Sequence, residues 1–316
     1  MSKRDFLDLN ALSLEEIERL IDRAGYFKKN NLSADETSLL KGKSIGLFFE
    51  KPSTRTRVAF EAAIVRLGGH PIFLSPNDTQ TGRGETIADT ARVLSRYLDA
   101  VVIRTFEQEK LVEWANFATV PIINGLSNLY HPCQILADFL TIFEKRGRLR
   151  GLNLTYIGDG NNIAHSLMEG GAMVGMNVTC ASPMEYEPNP NIVKRAAAIA
   201  DTNHSKIIVL NDPKKAVADA DILYTDTWVS MGYEKIPIVD KMRKIPFLPF
   251  QINQALVNLA KENCFIMHCL PAHRGEEITD EVMDGKDSVI FEQAENRLPT
   301  HQAILEWAMQ KKIDSL

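Results

Sequence analysis

The chain has 316 residues, 45% of them hydrophobic and 24% charged, which is ordinary for a globular protein able to bury a sizeable core. A net charge of −5 excludes a general nucleic-acid binder, whose footprint would be a broad basic patch, and no apolar run is long enough to span a bilayer. At about 150 residues per domain, the length suggests two domains.

The opening stretch MSKRDFLDLNALSLEEIERL lacks the apolar core of a signal peptide, so a cytoplasmic protein is expected. A strand-like run, KSIGLFFE at 43–50, comes next. A helix then opens at Pro52-Ser53-Thr54, with Ser53 as a good N-cap and Gly68-Gly69 as its end. HPIFLS at 70–75 is the next strand. The helix in TIADTARVLSRYL puts Ile87, Ala91, Leu94 and Leu98 on one face. AVVIRTF at 100–106 and VPIING at 120–125 complete a first βα series. YHPCQILADFLTIFEKRG then predicts a connecting helix, with Pro132 at its first position, Gly147 at its end, and Ile135, Phe139 and Phe143 at helical spacing. A second series follows: LNLTYIGD, NVTCASP, KIIVLND, ADILYTDT, FIMHC and SVIFEQ as strands. AENRLPTHQAILEWAMQKK closes the chain as an amphipathic helix. Continuous apolar strands between helices predict an α/β fold of two domains, each a parallel sheet flanked by helices. The four cysteines, at 133, 180, 264 and 269, form no CxxC pair, as expected in a reducing compartment.

Chemistry concentrates at the strand ends, where open α/β sheets gather their ligands. Arg55 and Arg57 sit in the first turn of a helix, where the dipole already disfavours cations. An anion resolves the conflict: helix N–H groups, Ser and Thr hydroxyls and guanidinium forks together suit a phosphate. The alternative is a solvated basic turn paired with Glu50 or Glu61. Arg104 ends one strand, His131 and Gln134 follow another, Asn161 and Asn162 follow YIGD, Asp226 ends LYTD, and Cys269 ends FIMHC. The stretch from Trp228 to Pro249 is long, with three prolines and little periodicity, and such loops are usually functional, here a closing lid.

The segments FEKPSTRTR, DTARVLSRY, HPCQILAD, IGDGNNIAHS, DTWVSMG, HCLPAHRGEE and FEQAENRL, in this order, resemble the aspartate/ornithine carbamoyltransferase family nearly from end to end. STRTR with HPxQ marks the wider family; DTWVSMG and HCLP point to its ornithine enzymes. The resemblance implies carbamoyl transfer from carbamoyl phosphate to the side-chain amine of ornithine, giving citrulline and phosphate. No metal, no organic cofactor and a homotrimer with shared active sites are implied with it. The implied boundaries are 1–130 for carbamoyl phosphate, 131–148 for the connecting helix and 149–297 for ornithine, with 298–316 packed back on the first domain.

By resemblance, carbamoyl phosphate meets Ser53, Thr54, Arg55, Thr56, Gln80 from a neighbouring subunit, Arg104, His131, Gln134, Cys269, Leu270 and Arg297. Arg57 stands behind these or serves in an ion pair. Ornithine meets Asn162, Asp226, Ser230 and Met231. Arg104, His131, Asp226 and Cys269 are the implied catalytic group, with Cys269 orienting the amine and not forming a covalent bond; a buried, inert Cys269 is the alternative.

Other readings stay open. A putrescine enzyme would need no groups for an α-carboxylate, against the intact WVSMG. N-acetylornithine or succinylated ornithine would need room near Asp226. A nicotinamide-dependent dehydrogenase would explain Gly158 and Gly160, but Ile163 stands at the third glycine position and no acidic residue ends NVTCAS. A zinc site from His268, Cys269 and His273 lacks four-ligand spacing. A phosphate-sensing module would need neither HCLP nor SMG.

Overall fold

Four parallel strands carry the first half of the chain: β1 Ser44–Phe49, β2 His70–Leu74, β3 Ala100–Arg104 and β4 Ile122–Leu126, in the order β2-β1-β3-β4. Every residue of β3 and all but the first of β1 are buried, as strands covered on both faces require. The computed structural model describes residues 3–75, 84–229 and 242–310. Contacts divide the chain into two units, Met1–Leu140 with Glu295–Leu316, and Thr141–Ala294. The boundary falls inside the helix Pro132–Arg146.

In the first unit the chain builds outward from β1 to β2, then returns to place β3 on the other side of β1. That reversal opens a crevice at the carboxyl ends of β1 and β3, the usual ligand position of such sheets. The helix Thr54–Arg66 leaves β1 there. Ser53 caps it by accepting from Thr56 N at 3.3 Å, and Gly68, at φ +83°, ends it where a Cβ would lie 2.2 Å from Thr37 O. The helix expected around Ile87 spans Ile87–Leu94; Leu98 lies beyond its end yet is buried in the same cluster.

The closing helix, Arg297–Met309, corrects an expectation. It is not amphipathic: Arg297, Thr300, His301 and Gln302 are buried with Ile304 and Leu305. Its turns are enclosed by the helices Leu14–Lys29 and Thr54–Arg66, so no face is left for a polar stripe. Glu306 takes Arg23 at 2.7 Å, the Trp307 indole donates to Glu16 Oε1 at 3.1 Å, and His301 stacks on Phe60 with ring centres 3.8 Å apart.

The second unit holds five parallel strands: β5 Asn153–Ile157, β6 Asn177–Ala181, β7 Ile207–Leu210, β8 Ile222–Thr225 and β9 Phe265–His268, in the order β7-β6-β5-β8-β9. The reversal here lies between β5 and β8, and the carboxyl ends of those two strands lead to Asn161 and Asp226. SVIFEQ is not a strand. After a single bridge from Ser288 to Ile266 it turns into the helix Ile290–Glu295, because two β-branched residues are too few to outweigh the helix formers Glu, Gln and Ala that follow.

The described ends of the expected lid are packed. Trp228 and Val229 are buried, Ile245–Phe250 forms a 3-10 helix, and Phe247 stacks on Trp228 at 5.7 Å. Residues 230–241, with Ser230 and Met231, and residues 76–83, with Gln80, lie outside the described residues. Among the described residues no helix is long and apolar enough to cross a membrane.

Candidate active site

Thr54 is exposed at the tip of its helix, Ser53 and Arg55 are half-buried, and Thr56 is buried. The first turn carries no acidic residue, and no carboxylate among the described residues pairs with Arg55. Arg57 differs. Its guanidinium bonds Glu61 Oε1 at 2.8 Å and lies 3.6 Å from the centre of the Phe73 ring, so the ion-pair reading holds for it. Ser53, Thr54 and Arg57 line a cavity of about 560 Å³ with Lys51, Phe73 and Ser75.

Behind the helix tip lies a buried polar network. Arg297, 4% exposed, donates to Gln134 Oε1 at 2.6 Å and to Thr56 Oγ1 at 3.0 Å. Gln134 passes its amide on to Asp138 Oδ1 at 2.8 Å. Two bonds thus tie the closing helix to the STRTR turn and to the HPCQ turn, residues far apart in sequence. Arg104 and His131 are also buried. Arg104 reaches its place through a register shift between Ile103 and Arg104 against β4. The carbonyl of His131 accepts the first amides of its helix, from Gln134 at 3.1 Å and Ile135 at 3.3 Å. Burial, then the cationic neighbours Arg297 and Arg104, hold the His131 imidazole well below its usual range, so the ring is neutral at pH 7 and able to offer an N–H without a full charge.

In the second unit Asp226 is the hub. Asn161 Nδ2 donates to its Oδ2 at 2.9 Å, and the Cys269 thiol donates to its Oδ1 at 3.0 Å. Asn161 also caps the helix Asn162–Met173, accepting from Ile163 N at 2.9 Å. Its cap fixes the face that the Asp226 carboxylate presents. Cys269 is half-buried and faces a carboxylate, whereas Cys133, Cys180 and Cys264 are buried against neutral partners, Asn124 O, the Ser182 hydroxyl and Phe265 O, with thiols pushed up to about 12. The inert reading fits those three, and Cys269 differs from them in facing the Asp226 carboxylate.

Sequence reasoning missed what holds the HCLP turn. His268 is fully buried; its Nδ1 accepts from Leu270 N at 2.8 Å, leaving Nε2–H for Glu277 Oε1 at 3.1 Å. Gln293 Oε1 receives His268 N at 2.8 Å, and Gln293 Nε2 donates to the Tyr224 hydroxyl at 3.1 Å. Leu270, at φ +59°, occupies a left-handed conformation rare for a branched side chain, and these bonds impose it. The zinc trio is not brought together: His268 and Cys269 group with Asp226, while His273 groups with Glu276 and Glu277. Gly160 of YIGDGNN has a packing role. A Cβ on Gly160 would lie 2.2 Å from Pro188 N, so the residue permits two backbones to pass.

Two family descriptions match the chain: the aspartate/ornithine carbamoyltransferase carbamoyl-P binding domain over residues 4–144, and the Asp/Orn binding domain over residues 150–308. The ornithine carbamoyltransferase of Anoxybacillus flavithermus is 54% identical over 302 residues, covering 96% of this chain and 95% of that protein. The anabolic enzyme of Pyrococcus furiosus is 49% identical, covering 98% and 97%. The solved structure of an ornithine carbamoyltransferase from Pyrococcus furiosus superposes with a TM-score of 0.91 at 49% identity, covering 96% of each chain. With both halves matched and such relatives aligned nearly end to end, the chain belongs to the aspartate/ornithine carbamoyltransferase family.

Proposed function

We propose that the chain transfers the carbamoyl group of carbamoyl phosphate to the side-chain amine of L-ornithine, giving L-citrulline and phosphate. The observation that carries this reading is the network of Thr56, Arg297 and Gln134 behind a helix tip bearing Ser53, Thr54 and Arg55. Helix amides, hydroxyls and a guanidinium fork suit a phosphate dianion. Relatives named as ornithine enzymes supply the second substrate.

The first unit takes carbamoyl phosphate, with Gln80 of a neighbouring subunit joining in a trimer. Attack on the carbonyl carbon builds negative charge on its oxygen, and donors already in place lower that barrier. Thr56, Arg104 and neutral His131 serve as those donors. Gln134 accepts from the carbamoyl amide, and Arg297 fixes Gln134 and Thr56. Cys269 and Leu270 flank the carbamoyl group. The second unit takes ornithine. Asp226 meets the α-ammonium, Asn162 with the backbone at Ser230 and Met231 meets the α-carboxylate, and Cys269 with Asp226 orients the attacking amine. The leaving phosphate accepts the proton, so no separate base is required, and the same groups serve the reverse reaction.

The test is a citrulline assay with carbamoyl phosphate and four acceptors: ornithine, N-acetylornithine, putrescine and aspartate. Turnover with ornithine far above the others is expected. Turnover with putrescine alone would refute the α-carboxylate role of Asn162, and turnover with N-acetylornithine alone would refute the α-ammonium role of Asp226.

A further inference from the structure

Lys51 stands two residues before the helix cap. It is 6% exposed and lines the same cavity as Ser53 and Thr54. Its ammonium donates to Asn128 Oδ1 and lies 4.3 Å from the centre of the Phe106 ring. Among the described residues the charges facing it are unbalanced. Arg104, from the end of β3, is of like sign. Glu50 is of opposite sign but is already engaged by the Thr105 hydroxyl and by Lys110, at 3.3 Å, from the helix Gln108–Phe117. An ammonium so enclosed, short of anions among the described residues and beside an anion pocket, leaves a place for a substrate's charge.

Resting on the carbamoyl phosphate reading, we propose that Lys51 is a proton-linked positioning residue: the arriving phosphate dianion draws a proton onto its amine, and the resulting cation holds the dianion in place. The free site supports this. Burial first and Arg104 second, opposed by Glu50, bring the Lys51 amine down to about 8. An opposite charge nearby favours the charged form, so the bound dianion moves this balance back toward the ammonium. At pH 8 about half of the free sites then lack the proton, and binding takes up to about half a proton per site. If only the protonated pocket binds, the apparent affinity falls by the protonated fraction, about tenfold between pH 7 and pH 9. The substrate contributes little to this trend, since the second ionisation of a phosphate ester lies near pH 6. The guanidiniums of Arg55 and Arg104 stay charged throughout.

The experiment is calorimetric binding of phosphonoacetamide, in which a methylene replaces the bridging oxygen, at pH 8 in buffers of different ionisation enthalpy. The wild-type protein is expected to take up about half a proton, and Lys51→Arg, always charged, to bind without that uptake. In parallel, the KM for carbamoyl phosphate should rise about tenfold from pH 7 to pH 9 in the wild type and stay flat in Lys51→Arg and, at a weaker level, in Lys51→Met. A lysine that only packs would move KM by the same factor at every pH. Binding with no proton uptake in the wild type, or with the same uptake in Lys51→Arg, overturns the proposal and leaves the phosphate site standing. No binding at any pH overturns both.

Discussion

Arg55 and Arg57, two residues apart, have different partners, and the difference decides what each substitution does. Arg57 is matched by Glu61 and Phe73, whereas no carboxylate among the described residues pairs with Arg55. Arg55→Lys keeps the charge and loses the planar fork. Hydrogen bonds to charged groups are worth about 1.5–3 kcal/mol, so the KM for carbamoyl phosphate should rise about 10- to 100-fold while that for ornithine changes little. An unchanged KM for carbamoyl phosphate would remove Arg55 from the site. Asp159 carries a different prediction. Burial pushes its carboxyl up to about 6; Arg243 opposes the rise and Asp226 adds to it. A carboxyl held above its unfolded value of about 3.9 favours the folded state fully only below that value, and loses this contribution as pH rises through about 6. Asp159→Asn should therefore raise Tm at pH 8 and lose its advantage near pH 4, as measured by thermal unfolding at the two pH values. Equal effects at both would contradict the burial argument.

Among the elements, the closing helix depends most on its surroundings. Leu305 is fully buried there, and Leu305→Ala should cost about 2–5 kcal/mol in denaturant unfolding of the first unit. Glu18→Ala, on the exposed face of Leu14–Lys29, should stay within about 0.5 kcal/mol. A small loss at Leu305 would mean that the helix is peripheral. This helix also marks the limit of what periodicity reveals. The runs that became β1 to β9 were legible because apolar, β-branched residues lay between turn signals. The Ser53 cap, the Pro132 start and the Gly147 end were legible because capping chemistry is local. The polar residues of Arg297–Met309 read as a solvent face because nothing local says that two other helices will enclose them. The frame around His268 was hidden for the same reason. Glu277 and Gln293 join it from 9 and 25 positions away, at no characteristic spacing. SVIFEQ failed differently, since a short apolar run suits either element. The site residues were legible one strand end at a time, but the bond from Arg297 to Thr56 spans 241 positions, and only the fold reveals it.

For the whole molecule, the chemistry sets the pH response. The ornithine side-chain amine, with a pKa of about 10.4, is neutral in roughly one molecule in 2,500 at pH 7, and only that form attacks. His131 is already neutral at that pH, so its titration does not interfere. Turnover at saturating carbamoyl phosphate and subsaturating ornithine should rise from about pH 7 to about pH 8.5 in step with the neutral amine. A flat profile would contradict attack by the free amine. All of this depends on the first unit holding the phosphate at the tip of Thr54–Arg66. The direct measurement is a crystal structure of the protein with bound phosphonoacetamide. The phosphonate is predicted to sit on the helix amides between Ser53, Thr54 and Arg55, with the carbonyl oxygen toward Arg104 and His131. Electron density for the ligand elsewhere, with that helix tip occupied only by water, would contradict it.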